Sequence, residues 1–205
     1  MVMQLRARAP NKNLSREEWL ERALDAVSRS GGAKLRIERL VAEVGVTSGS
    51  FYWHFENREN FVRCLIDYWH ESYTLTVSDH LEKADGSHYE KLRMLMNMVF
   101  VDNLTRHDLA IRSWAIADPK LRPLVKRTDN HRIEYLNMLF RGIGFDQDDA
   151  DLRARVFLGE AAWEAALFEK MTKKRRAKKA DDFFQLLVAG SDSGRKGGLQ
   201  TVSKP

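Results

Sequence analysis

The chain has 205 residues, 43% of them hydrophobic, which is enough for one compact unit or for a small head on a larger body. Its net charge of +5 is compatible with a polyanionic partner but does not identify one. The single cysteine, Cys64, excludes an intramolecular disulfide and a multi-cysteine zinc site, and the lack of any long apolar run or signal-peptide core predicts a cytoplasmic protein without a membrane span.

Apolar residues recur at helical spacing along the whole chain, and alternating β-branched runs bounded by turns do not occur. We therefore predict an all-α fold. Residues 1–13 lack this spacing, so we interpret them as a flexible tail, with a basic arm in the DNA minor groove as the alternative. The first helix begins at a capping box formed by Ser15 and Glu18 and ends at Gly31-Gly32.

The stretch from Ile37 to Phe55 predicts two short helices joined by a tight turn. One apolar face covers Ile37–Val44, Gly45 follows as the left-handed residue that ends a helix, and Thr47 can cap the next helix. The second helix turns its phenylalanines inward and leaves a glycine, a serine and a tryptophan on the opposite face. Glycine inside a helix costs about 1 kcal/mol relative to alanine, so this outward face is best explained by a partner.

This stretch resembles the DNA-binding segment of the tetracycline-repressor (TetR) family of bacterial regulators. The resemblance is carried by Val44 to Thr47, Gly49 to Phe55 and Asn57 to Glu59, and it is strong from about Ser15 to Ile66. It implies an N-terminal three-helix helix-turn-helix head on a C-terminal helical bundle that dimerises. The family's pattern, carried over residue by residue, implies that Thr47, Ser48, Gly49, Ser50 and Trp53 face base edges and that Arg36, Tyr52, His54 and Arg58 hold phosphates.

We expect residues 14–60 to form the helix-turn-helix domain and residues 61–190 to form a ligand-binding and dimerisation domain. A helix that starts near Asn57 is predicted to run to about Lys83, and residues 191–205 are predicted to be a second flexible tail, because they are rich in glycine and serine.

The apolar stripe from Leu121 to Ile143 is interrupted by Thr128, His131 and Arg132. Such residues are most often satisfied by hydrogen bonds or lie at the edge of a helix, and this is the interpretation we favour. The alternative is a pocket for a small-molecule effector, mostly apolar with a few polar groups. Its candidate residues are Trp114, Thr128, His131, Arg132, Tyr135 and Trp163.

Four aspartates between Asp146 and Asp151 invite a calcium interpretation. That interpretation fails, because Ala150 stands at the fifth position of the loop and Phe157 replaces the closing glutamate. A helix N-cap with an acidic first turn explains the cluster better. We expect neither a metal nor a cofactor.

The helix from about Asp149 to Lys170 has two apolar faces, and only one of them can pack on the body. The resemblance implies that the last two long helices pair with their copies in a four-helix dimer bundle. The predicted dimer interface is Phe157, Ala161, Ala165, Phe168, Phe183, Phe184 and Leu187. We interpret the run KKRRAKK, residues 173–179, as a solvated connector between the two helices.

Together these features predict a ligand-responsive DNA-binding transcription regulator, a repressor that binds a near-palindromic operator of double-stranded DNA as a homodimer. An enzyme would need a phosphate loop, a metal cluster or a nucleophile with its base, and the sequence offers no such motif and no catalytic residue. A helical protein-interaction module is the remaining alternative, with Tyr52 and Trp53 as its hot spot.

Overall fold

The computed structural model describes residues 14–29, 36–166 and 171–191. Within these ranges the chain is helical and contains no strand, as predicted. No helix in these ranges is both long and apolar enough to cross a membrane. The helices are α1 Arg16–Arg29, α2 Ile37–Val44, α3 Ser48–His54, α4 Arg58–His70, α5 Thr76–Lys83, α6 His88–Met96, α7 Asp108–Ala117, α8 Arg122–Gly142, α9 Gln147–Ala166 and α10 Lys173–Val188.

Two π-helical turns interrupt the α-helical pattern. Glu71–Leu75 joins α4 to α5, and Asn97–Val101 follows α6. The sequence predicted a single helix as far as Lys83, and the helical path does reach that residue. The wider turn was not foreseen, because apolar spacing does not distinguish a short π segment from an α-helix.

The described residues form two compact units. One contains the residues up to Glu71 together with Leu109–Val125, and the other contains Ser72–Asp108 and the residues from Lys126 onward.

An aromatic cluster forms the core of the first unit, where α1 packs against α2 and α4. The Trp19 ring lies 5.6, 5.3 and 5.5 Å from the rings of Phe51, Phe55 and Phe61, in edge-to-face arrangements. All four side chains are fully buried. Because Phe51 belongs to α3, this cluster fixes the outward face of that short helix.

Helix α1 begins at the predicted capping box. The Ser15 amide donates to Glu18 Oε2 at 2.9 Å, and the Glu18 amide donates to Ser15 Oγ at 3.2 Å. The two side chains satisfy amides that have no partner within the helix, which sets its first residue.

A second core lies between the helices that follow Ser72. It contains Phe100 and Phe157 with ring centroids 5.3 Å apart, and Tyr89 and Phe184 with centroids 5.1 Å apart. Asp146 precedes α9, and its Oδ1 accepts a hydrogen bond from the Asp149 amide at 2.9 Å. The N-cap interpretation of the aspartate cluster is therefore confirmed.

The run at residues 173–179 is not a connector, because it forms the first two turns of α10. Lysine, arginine and alanine favour helices, and Thr172 caps this one by accepting from the Arg175 amide at 3.3 Å. The ion pair of Lys178 with Asp182 spans one turn of α10 and supports it, and the ion pair of Lys179 with Glu160 joins α10 to α9.

Candidate DNA interface and effector cavity

The turn between α2 and α3 is specified from both sides. Gly45 adopts the left-handed conformation with φ 79° and ψ 37°, and its amide donates to Val41 O at 3.0 Å. Thr47 Oγ1 accepts a hydrogen bond from the Ser50 amide at 3.3 Å. Both predicted roles are confirmed, so local chemistry fixes where α3 begins.

The outward face of α3 carries large aromatic side chains in solvent. Trp53 is 85% exposed and Tyr52 is 60% exposed. Thr47, Ser48 and Gly49 are also exposed, and Ser50 is half-buried. The structure therefore brings together, on one accessible surface, the residues predicted to face base edges.

Gly49 lies on this surface with space around it. A Cβ atom built there would meet only Thr47 Oγ1, at the ordinary contact distance of 3.7 Å. The fold of the head therefore gives no steric reason for a glycine at this position. Close approach of a partner to this surface would be such a reason for the glycine.

The residues predicted to hold phosphates have different surroundings. Arg36 and Arg58 are exposed next to the first turns of α2 and α4. His54 is half-buried, and its Nε2 lies 2.9 Å from Leu14 O. Because a carbonyl only accepts, Nε2 carries the proton, and Nδ1 can donate to a phosphate only when the ring is doubly protonated. With one ring proton, His54 therefore donates to Leu14 O within its own chain and has no proton left for a phosphate.

The second unit contains a cavity of about 50 Å³ with mainly apolar walls. Of the predicted ligand residues, His131, Arg132 and Tyr135 line it. Thr128 is fully buried but does not line the cavity, and Trp163 is exposed. Trp114 is buried in the first unit.

Arg132 forms a buried ion pair. Its Nη1 lies 2.5 Å from Asp108 Oδ2, its Nε donates to Thr74 Oγ1 at 2.9 Å, and its Nη2 lies 3.5 Å from Tyr73 O. No sequence pattern signals these partners, because they lie 24 to 59 positions away and only the fold brings them together. The favoured interpretation, in which polar residues of the stripe are satisfied by hydrogen bonds, is confirmed for Arg132.

His107 directly precedes Asp108 in the chain and contacts Tyr73. Its ring meets Tyr73 edge-on at 4.8 Å, and its Nε2 lies 3.2 Å from the Tyr73 hydroxyl. Burial, reinforced by the charge of Arg106, lowers the pKa of His107 to about 3. The folded chain therefore keeps this imidazole neutral.

We expect His107 to make stability depend on pH. An unfolded histidine titrates near 6.5, so below about pH 6.5 the unfolded chain binds a proton that the folded chain excludes. The stability contributed by the neutral ring is complete above that pH and is lost as pH falls toward 3. Between pH 7 and 5 the free energy of unfolding should fall by about 2 kcal/mol more in the wild type than in His107→Gln. Urea titrations at each pH measure this difference, and parallel pH curves would contradict the assignment.

The outer face of α9 differs from the prediction. Phe157 and Ala161 are buried in the core of their own chain, because Phe157 packs on Phe100, and Phe184 and Leu187 are buried as well. Phe183 is half-buried against the same core. The structure describes no side-chain surroundings for Ala165, and Phe168 lies outside the described residues. The exposed apolar residues of α9 are Leu152, Val156 and Trp163.

Comparisons with known proteins agree with this geometry. Residues 20–64 match the model of bacterial regulatory proteins of the tetR family. Over 91 residues the chain is 33% identical to the HTH-type transcriptional regulator TtgR of Pseudomonas putida. That match covers 42% of this chain and 41% of the relative, so the chain matches about two fifths of the relative's length.

Solved structures share the fold over most of the chain. AibR in complex with isovaleryl coenzyme A and operator DNA has a TM-score of 0.64 at 18% identity and covers 84% of this chain and 97% of its own. The regulator FadR from Bacillus subtilis in complex with stearoyl-CoA has a TM-score of 0.63 at 16% identity and covers 86% and 99%.

A capped helix pair with an exposed second helix, joined to further helices, defines the class of helix-turn-helix proteins. Within that class, residues 20–64 match the tetR family of bacterial regulatory proteins, and the chain shares its fold with AibR and FadR. The resemblance inferred from the residues around Gly45 is thereby confirmed.

Proposed function

We propose that the chain is a ligand-responsive transcription regulator that represses by binding a near-palindromic operator as a homodimer, and that it is not an enzyme. One observation carries this proposal: α3 presents Trp53, Tyr52 and an unobstructed Gly49 to solvent while Phe51 anchors its other side. A recognition helix of this kind fits the DNA major groove, where base edges differ in their donors and acceptors.

In this proposal, Thr47, Ser50 and Trp53 contact base edges and Arg36 and Arg58 hold phosphates. A dimer would place two copies of α3 in successive major grooves, about 34 to 36 Å apart. The operator would therefore be a palindrome whose half-sites are one helical turn apart.

Selection of bound fragments from random duplex DNA tests this proposal. We expect an enriched palindromic motif. Arg58→Ala should weaken binding to all sequences alike and reduce the slope of log K against log salt by about 1. Thr47→Ala should instead change which bases are enriched. A protein-interaction module using Tyr52 and Trp53 would enrich no motif, and that outcome would reject the proposed function.

The homodimer is proposed to form through the exposed stripe of α9. Leu152, Val156 and Trp163 recur at helical spacing and lie in solvent in the single chain. The family resemblance implies a dimer bundle of the last two long helices, and a second copy covering this stripe would remove three large apolar side chains from water. This stripe therefore replaces the interface first predicted around Phe157 and Ala161.

Val156→Asp should convert the dimer to a monomer, because the copies would bury opposed carboxylates at the interface. Ile116→Asp is the matched control, since Ile116 is an exposed apolar residue on another helix, α7. Sedimentation at micromolar concentration should give monomer for the first variant and dimer for the control. A dimeric Val156→Asp variant, or a monomeric wild type, would contradict this interface.

Effector binding is proposed at the cavity lined by His131, Arg132 and Tyr135. AibR and FadR, which share this fold, were solved with acyl-coenzyme A ligands, which supports a small-molecule effector in this chain too. Coupling between effector and DNA of about 1 to 3 kcal/mol would be ordinary for such a protein.

A further inference from the structure

We infer that the cavity of the second unit takes a small, uncharged, largely apolar ligand with one hydrogen-bond acceptor, which accepts a hydrogen bond from the Tyr135 hydroxyl. The inference rests on the proposed effector role of the cavity and names the chemical class of that effector. A ketone, an ester or an aromatic aldehyde has this chemistry, whereas a carboxylate or an ammonium does not.

The charge of the cavity wall excludes ionic ligands. Arg132 is the one permanently charged residue among the described residues that line the cavity. Its guanidinium already pairs with Asp108 and donates to Thr74. An anionic ligand would compete with Asp108 for a guanidinium whose charge is already paired, and a cationic ligand would meet that guanidinium, so either ligand charge would be buried without a counter-charge of its own.

One polar pair in the wall is internally satisfied. Ser78 Oγ donates its only proton to Leu75 O at 2.9 Å, so His131 Nε2, 3.1 Å from the same oxygen, is the donor of their hydrogen bond. The Ser78 hydroxyl and the His131 Nε2 proton are therefore used within the protein.

The Tyr135 hydroxyl, unlike the Ser78 and His131 groups, is not satisfied within the described part of the chain. Tyr135 is one of the residues that line the cavity and is only 9% exposed, yet its buried hydroxyl has no hydrogen-bond partner among the described residues. Burial, with a contribution from Glu82, raises the pKa of Tyr135 to about 12, so the phenol keeps its proton. A buried donor without an acceptor is unfavourable, and a ligand oxygen would satisfy it.

The volume limits the ligand's size. A cavity of about 50 Å³ holds only a few non-hydrogen atoms as it stands. The walls include flexible apolar side chains such as Leu95 and Leu158, whose movement would admit a small ring. The remaining surface of such a ligand would contact hydrocarbon, which fixes its largely apolar character.

Three probes of equal ring size test the inference on the full chain: cyclopentanone, cyclopentane and cyclopentanecarboxylate. Binding is followed by protein NMR chemical shifts. We expect the ketone to bind about five to ten times more tightly than the hydrocarbon, the ratio expected for one hydrogen bond, and the carboxylate to bind more weakly than either.

Tyr135→Phe removes a single oxygen and should abolish the preference for ketone over hydrocarbon while hydrocarbon binding persists. Tyr89→Phe is the matched control, because Tyr89 packs on Phe184 and does not line the cavity, and it should keep the wild-type preference. A preference that survives in Tyr135→Phe, tighter binding of the carboxylate, or no binding of any probe to the folded protein would each overturn the inference.

Operator binding by the ligand-free protein, measured in parallel, separates this inference from the proposed function. DNA binding without binding of any probe would reject only the inferred ligand class. Probe binding without an enriched DNA motif would reject the proposed regulator function and would leave the inferred ligand chemistry unaffected.

Discussion

Gly49→Leu is expected to lower specific operator binding by about a thousandfold or more, to the level of non-specific DNA. The leucine side chain would project from the face of α3 that carries Trp53, and it would hold the helix out of the groove. Contacts from Thr47 and Ser50 to base edges would then be lost together.

The same substitution should leave the head as stable as before, or slightly more stable. A Cβ at Gly49 meets only Thr47 Oγ1 at 3.7 Å, and replacing a helical glycine by leucine improves helix propensity by up to about 1 kcal/mol. Loss of DNA binding in this variant therefore reports on the groove and not on unfolding. Fluorescence anisotropy on the selected operator, with thermal unfolding of the same sample, measures both.

Gly45→Ala is the control substitution, because it should lower the stability of the head and leave its operator preference unchanged. Its φ of 79° is unfavourable for alanine, so the head should lose about 1 to 2 kcal/mol of stability, although a Cβ there meets nothing within 4 Å. The variant should keep its operator preference at temperatures where it remains folded. If Gly49→Leu binds the operator as well as wild type, the proposed role of α3 fails.

Asp108→Asn is expected to lower the free energy of unfolding by about 3 to 5 kcal/mol. The side chains of Asp108 and Arg132 are 7% and 11% exposed, so the substitution leaves a buried guanidinium without its counter-charge. Replacing both residues with apolar ones of similar size should recover much of this loss, because the two charges no longer need desolvation.

Asp181→Asn is the matched control for the same chemical change. Asp181 pairs with Arg93 at 2.7 Å, but both side chains are substantially exposed, so its loss should cost at most about 1 kcal/mol. Urea unfolding curves of the two variants make the comparison. Equal effects in the two variants would show that the Arg132 pair is not buried in solution.

The sequence predicted the helix-turn-helix well, because its determinants are local. A capping threonine, a left-handed glycine and apolar spacing act within one or two helical turns, and each is readable from neighbouring residues. The same holds for the Ser15 capping box and for the Asp146 N-cap. The residues on the outward face of α3 followed from these boundaries alone.

The choice between the two apolar faces of α9 could not be read in this way. Both faces have helical spacing, and the sequence does not say which one meets the π-helical turn that carries Phe100. Neither π-helical turn leaves a periodic signal in the sequence. The other turn, Glu71–Leu75, places Tyr73 and Thr74 in the cavity wall.

Sequence patterns were sufficient for the all-α class, the helix-turn-helix and the side of α3 that faces solvent, since these depend on interactions between near neighbours in the chain. Only long-range packing established that Phe157 is core, that Arg132 is neutralised by Asp108 and that the Tyr135 hydroxyl lacks an acceptor. These outcomes depend on which distant segments meet, and pairing between distant segments is set by the collective packing of the whole core.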